Sequence, residues 1–141
     1  MIFKKFSFLF LLFTFSLVCS SQNKETKSIL FSHLGRVEIL DENKVILIGP
    51  SSSVSFDFTG NSCSISLQSV EDHQNYVSLE LDGKYIGRNR IEKGEIQSFP
   101  IVVSEKKKTH HLSIYKATEA TNGGVLFVGT TAKLIESPTP K

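Results

Sequence analysis

The chain has 141 residues, of which 40% are hydrophobic and 21% charged, with a formal net charge of +2 at pH 7 when histidine is neutral. This length fits one domain with its own hydrophobic core rather than two domains. The near-neutral charge argues against a nucleic-acid-binding protein, for which a basic patch is the minimum requirement. The densest basic run, at residues 106–108, is typical of a solvated turn between two strands.

Residues 1–21 have the three parts of an export signal. Residues 1–5 carry two lysines and no acid, residues 6–18 are almost entirely Phe and Leu, and small residues follow at Cys19, Ser20 and Ser21. This stretch is too short to span a membrane comfortably. We expect cleavage after Ser21 and export to the periplasm, the extracellular medium or the outer cell surface. The alternative that stays open is a lipoprotein, membrane-anchored through a lipidated Cys19.

Removal of this signal would leave Cys63 as the single cysteine of a mature chain with no net charge. No intrachain disulfide can then form, so the hydrophobic core alone must hold the domain together. Residues 22–30 are expected to form a flexible leader before the folded domain, which we place at residues 31–136.

Short segments of alternating apolar and polar residues fill the predicted domain. The clearest have apolar residues at 54, 56 and 58, at 63, 65 and 67, at 77, 79 and 81, and at 112 and 114. A period of two is that of strands buried on one face, and no comparable stretch has the period of a helix. Turn signals separate the segments at a spacing of about 8–12 residues, which is typical of an all-β sandwich. We predict a single β-sandwich of jelly-roll type with about eight antiparallel strands.

The strongest turn signal is Asp82-Gly83, between the apolar segment at 77–81 and the segment that begins at Lys84. Asp-Gly favours the left-handed backbone of a two-residue hairpin. At the other end of the chain, residues 137–141 read Ser-Pro-Thr-Pro-Lys. Prolines there prevent a further strand or helix, so this stretch is predicted to be a linker.

The sequence contains none of the common catalytic or metal-binding motifs. It has no Gly-x-Ser-x-Gly elbow, no Gly-Asp-Ser block, no Asp-x-x-His pair and no zinc-type spacing of His or Cys. We therefore predict no catalytic residue, no metal and no cofactor in this chain. Carboxylates on strand faces, such as Asp57 and Asp82, are expected to be solvated rather than to act as an acid/base pair.

The histidines give two further expectations. His110 and His111 are adjacent on one strand, so their side chains point to opposite faces. His110 is predicted to be buried and hydrogen-bonded to backbone, and His111 to share the polar face of Ser113. His33 and His73 are placed in loops. Cys63 is predicted to be buried and unreactive.

A carbohydrate-binding surface is a further hypothesis. Tyr76, Asp82, Tyr85 and Arg88 are close in sequence and offer aromatic and polar groups. The absence of Trp counts against a large aromatic platform for sugar rings, and scattered tyrosines are often half-buried sheet residues. The phenylalanines at 56, 58, 99 and 127 are assigned to the core.

Several local patterns occur in a defined order along the chain. Leu34-Gly35-Arg36 precedes the first strands, residues 49–60 form a small-residue turn and a strand ending in Phe-Thr-Gly, and Leu81-Asp82-Gly83 follows Asn75-Tyr76. Residues 111–119 read His-Leu-Ser-Ile-Tyr-Lys-Ala-Thr-Glu, and a glycine-rich turn leads to Phe127-Val128-Gly129. In this order the chain resembles, over about residues 33–136, the N-terminal β-sandwich of carbohydrate esterase family 2, enzymes that remove acetyl groups from xylan and related sugars. One departure is Leu47-Ile48-Gly49, where the family often has a Trp.

In that family an SGNH-type hydrolase domain follows the sandwich and supplies the nucleophilic Ser and its activating His. None of those motifs occurs here, so the resemblance carries over no catalytic residue. It implies a non-catalytic accessory domain of a secreted acetyl xylan-type esterase, packing on a hydrolase domain absent from this chain. Its further partner would be a plant-type polysaccharide such as acetylated xylan or mannan.

Two other functions stay open: a free-standing carbohydrate-binding module and a lipid-anchored structural domain of the cell surface. A contiguous exposed apolar patch would favour the accessory domain.

Overall fold

The computed structural model describes residues 30–104 and 108–137. The predicted export signal with Cys19, the leader up to residue 29, the lysines at 106 and 107 and the prolines at 138 and 140 lie outside these residues. No helix in the described part of the chain is long and apolar enough to cross a membrane.

The described residues form eleven strands and one short 3₁₀ helix. In chain order the strands are β1 (Ser32–Leu34), β2 (Val37–Ile39), β3 (Val45–Leu47), β4 (Ser53–Thr59), β5 (Ser62–Ser69), β6 (Asn75–Leu81), β7 (Lys84–Ile91), β8 (Gln97–Val102), β9 (His110–Lys116), β10 (Val125–Thr130) and β11 (Lys133–Ile135), with the 3₁₀ helix at Ala120–Asn122 between β9 and β10. Four of these strands have only three residues, too few to show an alternating pattern. The expectation of about eight strands was therefore too low.

The strands form two sheets, and all neighbouring strands within them are antiparallel. The first sheet has the order β1-β4-β9-β6-β7, with β11 also paired to β4, and the second has the order β2-β3-β10-β5-β8. The predicted all-β sandwich is confirmed. In the first sheet β1 lies at one edge and β7 at the other. In the second sheet β2 lies at one edge and β8 at the other.

Alternate residues of the long strands point between the sheets and form one core. Its centre is aromatic: the Phe31 ring lies 5.6 Å from Phe56 and 5.5 Å from Phe127 in edge-to-face contacts, and Phe56 lies 6.0 Å from Phe58. The predicted core positions 56, 58 and 127 are buried, whereas Phe99 is half-buried and packs against the core. Phe31 is a core residue that the alternation did not identify.

The turn between β6 and β7 is the predicted two-residue hairpin. Leu81 pairs with Lys84, and the two residues between them have positive φ, 52° at Asp82 and 76° at Gly83. This left-handed backbone at both central positions is that of a type I′ turn. The turn fixes the register of Lys84 and Tyr85 on β6, and a bulge between Leu79 and Glu80 sets the register of the rest of β7.

A buried polar cluster stabilises the opposite end of the sandwich. The Lys116 side chain is only 1% exposed, and its Nζ donates to the carbonyls of Thr118 (2.9 Å) and Glu119 (2.6 Å). Thr118 Oγ1 in turn donates to Asn75 Oδ1 at 2.6 Å. Burial lowers the pKa of the Lys116 ammonium, and the Glu119 charge opposes this effect. The cluster gives the Lys-Ala-Thr-Glu segment of the sequence a structural role.

Candidate functional site

Tyr76 and Arg88 form the best-defined contact on the outer face of β6 and β7. Arg88 lies opposite Ser78, two residues from Tyr76, and its guanidinium carbon is 4.5 Å from the centre of the Tyr76 ring. Stacking of this kind is an attractive cation–π contact. Arg88 Nη2 also donates to the Ala117 carbonyl at 3.1 Å. Two separate contacts therefore hold the guanidinium in place on the sheet surface.

A second arginine on the same face is neutralised differently. Arg90 lies opposite Tyr76 and makes two contacts to Glu92, with Nε 2.7 Å from Oε1 and Nη2 3.2 Å from Oε2. Its charge is thus balanced by a carboxylate, whereas the Arg88 charge faces an aromatic ring and a carbonyl. Arg88 is the better candidate to meet a ligand oxygen.

Asp82 lies in the turn of the β6–β7 hairpin and Tyr85 lies next to this turn, away from Tyr76 and Arg88. Tyr85 is opposite Glu80, four residues along β6 from Tyr76, which corresponds to about 13 Å at the rise of a β-strand. Its side chain is 67% exposed. The structure therefore brings Tyr76 and Arg88 together and places the other two predicted residues at a separate position.

The Asp82 carboxylate braces the hairpin against β9. Its Oδ1 accepts a hydrogen bond from the His111 backbone N–H at 2.9 Å, and its Oδ2 accepts one from His110 Nδ1 at 2.8 Å. The expectation that Asp82 is merely solvated was wrong, since the turn places its carboxylate beside the start of β9. These contacts give Asp82 a structural role.

His110 is buried, as its position in the alternation predicted, but its partner differs from the prediction. The imidazole bonds to the Asp82 carboxylate rather than to backbone. Its Nε2 is buried without a hydrogen-bond partner among the described residues. The Phe58 ring, 5.5 Å away, covers part of the imidazole.

Two other predicted positions have clear outcomes. His33 lies in β1 rather than in a loop, because the three-residue strand carries no alternation signal; burial lowers its pKa. Cys63 is buried as predicted, and the loss of solvent raises the pKa of its thiol. Within residues 30–104 and 108–137, no three His, Cys, Asp or Glu side chains are grouped as metal ligands.

The sequence did not predict one group of side-chain contacts. On the outer face of β4 and β9, His111 Nδ1 lies 2.5 Å from Asp57 Oδ1, and His111 Nε2 lies 3.2 Å from Ser113 Oγ. The shared face of His111 and Ser113 follows from their spacing. Asp57 is 54 residues from His111, so only the pairing of β4 with β9 reveals the contact. Asp57 is therefore hydrogen-bonded and not simply solvated.

Comparison with known families identifies the domain. The family described as "Carbohydrate esterase 2 N-terminal" matches residues 33–138, well over half of the chain. The chain belongs to this family. The resemblance inferred from the sequence is confirmed, as is the sandwich fold that it implied. No match was found among curated proteins.

Solved structures of carbohydrate esterases share this N-terminal domain. A family two carbohydrate esterase from Clostridium thermocellum, in complex with cellohexaose, superposes with a TM-score of 0.68 at 26% identity over 78% of this chain and 34% of that chain. An acetyl xylan esterase from Butyrivibrio proteoclasticus superposes with a TM-score of 0.66 at 22% identity over 81% of this chain and 32% of that chain. The carbohydrate esterase 2 N-terminal domain here thus spans about a third of the length of these esterases.

The same fold occurs in carbohydrate-binding modules. A family 35 module from an environmental isolate superposes with a TM-score of 0.60 at 9% identity, over 82% of this chain and 96% of that chain. At this identity the likeness concerns the fold alone. It shows that a sandwich of this architecture can also form a separate module.

Proposed function

We propose that this carbohydrate esterase 2 N-terminal domain is the non-catalytic accessory domain of an exported acetyl xylan-type esterase. The observation that carries the proposal is the family match over residues 33–138, combined with coverage of only about a third of the related esterases. In this proposal an SGNH-type hydrolase domain supplies the chemistry of acyl transfer, and the sandwich packs against it. Export follows from the signal-like sequence of residues 1–21.

Exposed apolar side chains support a packing role. Leu34 is 69% exposed and Ile39 61% exposed, and Leu30 and Leu40 beside them are also exposed. These residues belong to β1, β2 and their flanks, at the side of the sandwich where β11 also pairs with β4. Neighbouring exposed apolar side chains are typical of an interaction surface, and further ones, Ile86 and Val102, are exposed on β7 and β8 at the other side. We place the contact with the hydrolase domain at the side of β1 and β2.

The Tyr76–Arg88 pair supports a contact with polysaccharide. It lies on the first sheet, at the opposite side from β1, and so stays accessible when the β1 side is covered. A tyrosine ring offers an apolar face to a sugar ring, and a guanidinium held by two contacts donates to its hydroxyl groups without losing further conformational freedom. The substrate class is a plant-type polysaccharide such as acetylated xylan or mannan.

The first test is the coding sequence downstream of the codon for Lys141. The proposal expects an open frame that continues into a Gly-Asp-Ser block. A stop codon directly after Lys141 would contradict the accessory role and leave the free-standing binding module as the function.

The second test addresses the polysaccharide contact in the purified protein. Affinity electrophoresis in gels containing acetylated xylan or mannan should retard the protein, and Tyr76→Ala or Arg88→Ala should abolish the retardation. Tyr85→Ala, about 13 Å away along the strand, is the matched aromatic control and should keep it. Equal mobility with and without polysaccharide would contradict a binding role for this face.

A further inference from the structure

The pleat of two paired strands places a carboxylate, an imidazole and a hydroxyl in series. In the register of β4 on β9, Asp57 lies directly opposite His111, and Ser113 follows two residues later on the same face. Residues at i and i+2 of a strand share a face. The three side chains therefore meet without any special loop.

The hydrogen bonds define the role of each group. The carboxylate of Asp57 accepts from His111 Nδ1–H at 2.5 Å, and its second oxygen accepts from Ser137 Oγ at 2.5 Å. Because Nδ1 keeps its proton and donates it in a hydrogen bond to Asp57, the neutral His111 tautomer has its lone pair on Nε2. That nitrogen lies 3.2 Å from Ser113 Oγ. A nucleophile in reach of a base that a third group orients is the signature of an activated serine.

We propose that Ser113 is an activated serine that accepts an acyl group from small esters, with His111 as its general base and Asp57 as the positioning residue. This proposal stands on the geometry of β4 and β9. It goes beyond the proposed accessory function, in which the sandwich takes no part in the reaction of the hydrolase domain. Nothing in the family match assigns a role to these three residues.

The acylation step follows from the geometry. Ser113 Oγ forms a bond to the ester carbonyl carbon while its proton moves to His111 Nε2. The tetrahedral intermediate then breaks its bond to the alcohol oxygen, which leaves with the proton from His111. The product is an acyl ester of Ser113. Water then attacks its carbonyl carbon with His111 as the base, and Ser113 Oγ leaves with the proton from His111.

Exposure limits the size of the acyl group. The His111 side chain is 48% exposed and that of Asp57 is 24% exposed, whereas Ser113 as a whole is only 5% exposed. The hydroxyl is thus almost covered, beside the more exposed His111 ring, and we restrict the proposal to small acyl groups such as acetyl.

The strand position also limits turnover. β9 is paired on both sides, to β4 and to β6. Its backbone N–H groups therefore form hydrogen bonds to these strands and do not point to an oxyanion. Glu80 lies opposite Ser113 on β6 and adds negative charge near the developing oxyanion. Oxyanion donors are among the largest contributions to acyl transfer. We therefore expect slow, nearly single-turnover acylation rather than rapid hydrolysis.

The test is covalent labelling of the purified protein with p-nitrophenyl acetate and with a fluorophosphonate, followed by peptide mass spectrometry. Both probes should modify Ser113, and Ser113→Ala should lose this label. His111→Gln should slow labelling by about 100-fold or more, the scale of general-base catalysis, and Asp57→Asn should slow it as well. Ser66→Ala, on the outer face of the other sheet, is the matched control and should label at the original rate.

Melting midpoints establish that each variant is folded, and three results would overturn the proposal. These are the absence of any label, a label that maps to another side chain, and a labelling rate at Ser113 that is unchanged in both His111→Gln and Asp57→Asn.

Discussion

Phe56 and Phe58 show how single side chains hold this sandwich together. Both are fully buried between the sheets, and the Phe56 ring contacts Phe31, Phe58 and Phe127. The core must supply the stability by itself because the only cysteine among the described residues, Cys63, is unpaired. Each ring therefore contributes a large share of a small net stability.

Replacing Phe56 or Phe58 by Ala should lower the free energy of unfolding by about 3–5 kcal/mol, because each substitution leaves a cavity. The measurement is chemical denaturation followed by circular dichroism. Tyr85→Ala, which removes an exposed ring, should change stability by less than about 0.5 kcal/mol. A loss below about 1 kcal/mol at Phe58 would contradict its place in the core.

His33 gives the domain a defined pH dependence. Burial lowers its pKa below the ordinary 6.5, so between that lowered value and 6.5 the unfolded chain binds more protons than the folded one. Stability from this group is complete above pH 6.5 and falls as the pH decreases through that window. His33→Gln should flatten the stability curve just below pH 6.5, as measured by thermal melting. A stability curve of His33→Gln with the same slope just below pH 6.5 as that of the unsubstituted protein would contradict this prediction.

At the scale of elements, the β6–β7 hairpin illustrates the control of register by a turn. Gly83 has a φ of 76°, and a Cβ built there meets no atom within 4 Å. A substitution at this position thus tests backbone strain without steric clash. Between this turn and Arg88, the extra residue Ile86 on β7 shifts the register by one, so the turn and this bulge together place Arg88 opposite Ser78.

Gly83→Val should destabilise the protein by about 1–2 kcal/mol, the cost of left-handed backbone for a residue with a Cβ. Gly83→Asn should cost less, since Asn tolerates this conformation. Thermal unfolding of the two variants measures the difference. Equal stability of Gly83→Val and the unsubstituted protein would contradict the type I′ geometry.

The sequence predicted the elements whose signal is local. The long strands β4, β5, β6 and β9 follow from their alternation, and the hairpin follows from Asp82-Gly83. The three-residue strands carry too few residues for a period of two, so β1 and its His33 were missed. The Asp57–His111 contact depends on the pairing of distant strands, and the Asp82–His110 contact on the closure of the turn against β9. No local pattern contains this information.

At the scale of the whole molecule, both sheets share one core and no described disulfide joins them. Unfolding should therefore be cooperative and independent of reducing agent. The burial that raises the Cys63 pKa also shields its thiol. We expect no reaction of Cys63 with Ellman's reagent in the folded protein and rapid reaction in denaturant.

Absorbance of the released thiolate measures this reaction, and mass spectrometry assigns it to Cys63. The same denaturation midpoint with and without dithiothreitol is the accompanying expectation. Rapid labelling of Cys63 in the folded protein would show that the core opens locally on the timescale of the assay.

The shared edge of β4 has one more consequence. β11 pairs with Asp57–Thr59 and β1 with Ser53–Ser55, both antiparallel to β4, so that Ile135 and Ser32 are separated by a single position along the edge. The two short strands are thus collinear and run in the same direction, as one strand interrupted at Phe56. The end of β11 and the start of β1 therefore lie close together in space. A circular permutant that joins residue 135 directly to Phe31, so that this core residue supplies the single intervening position, and opens at the exposed turn around Gly94, should keep both sheets.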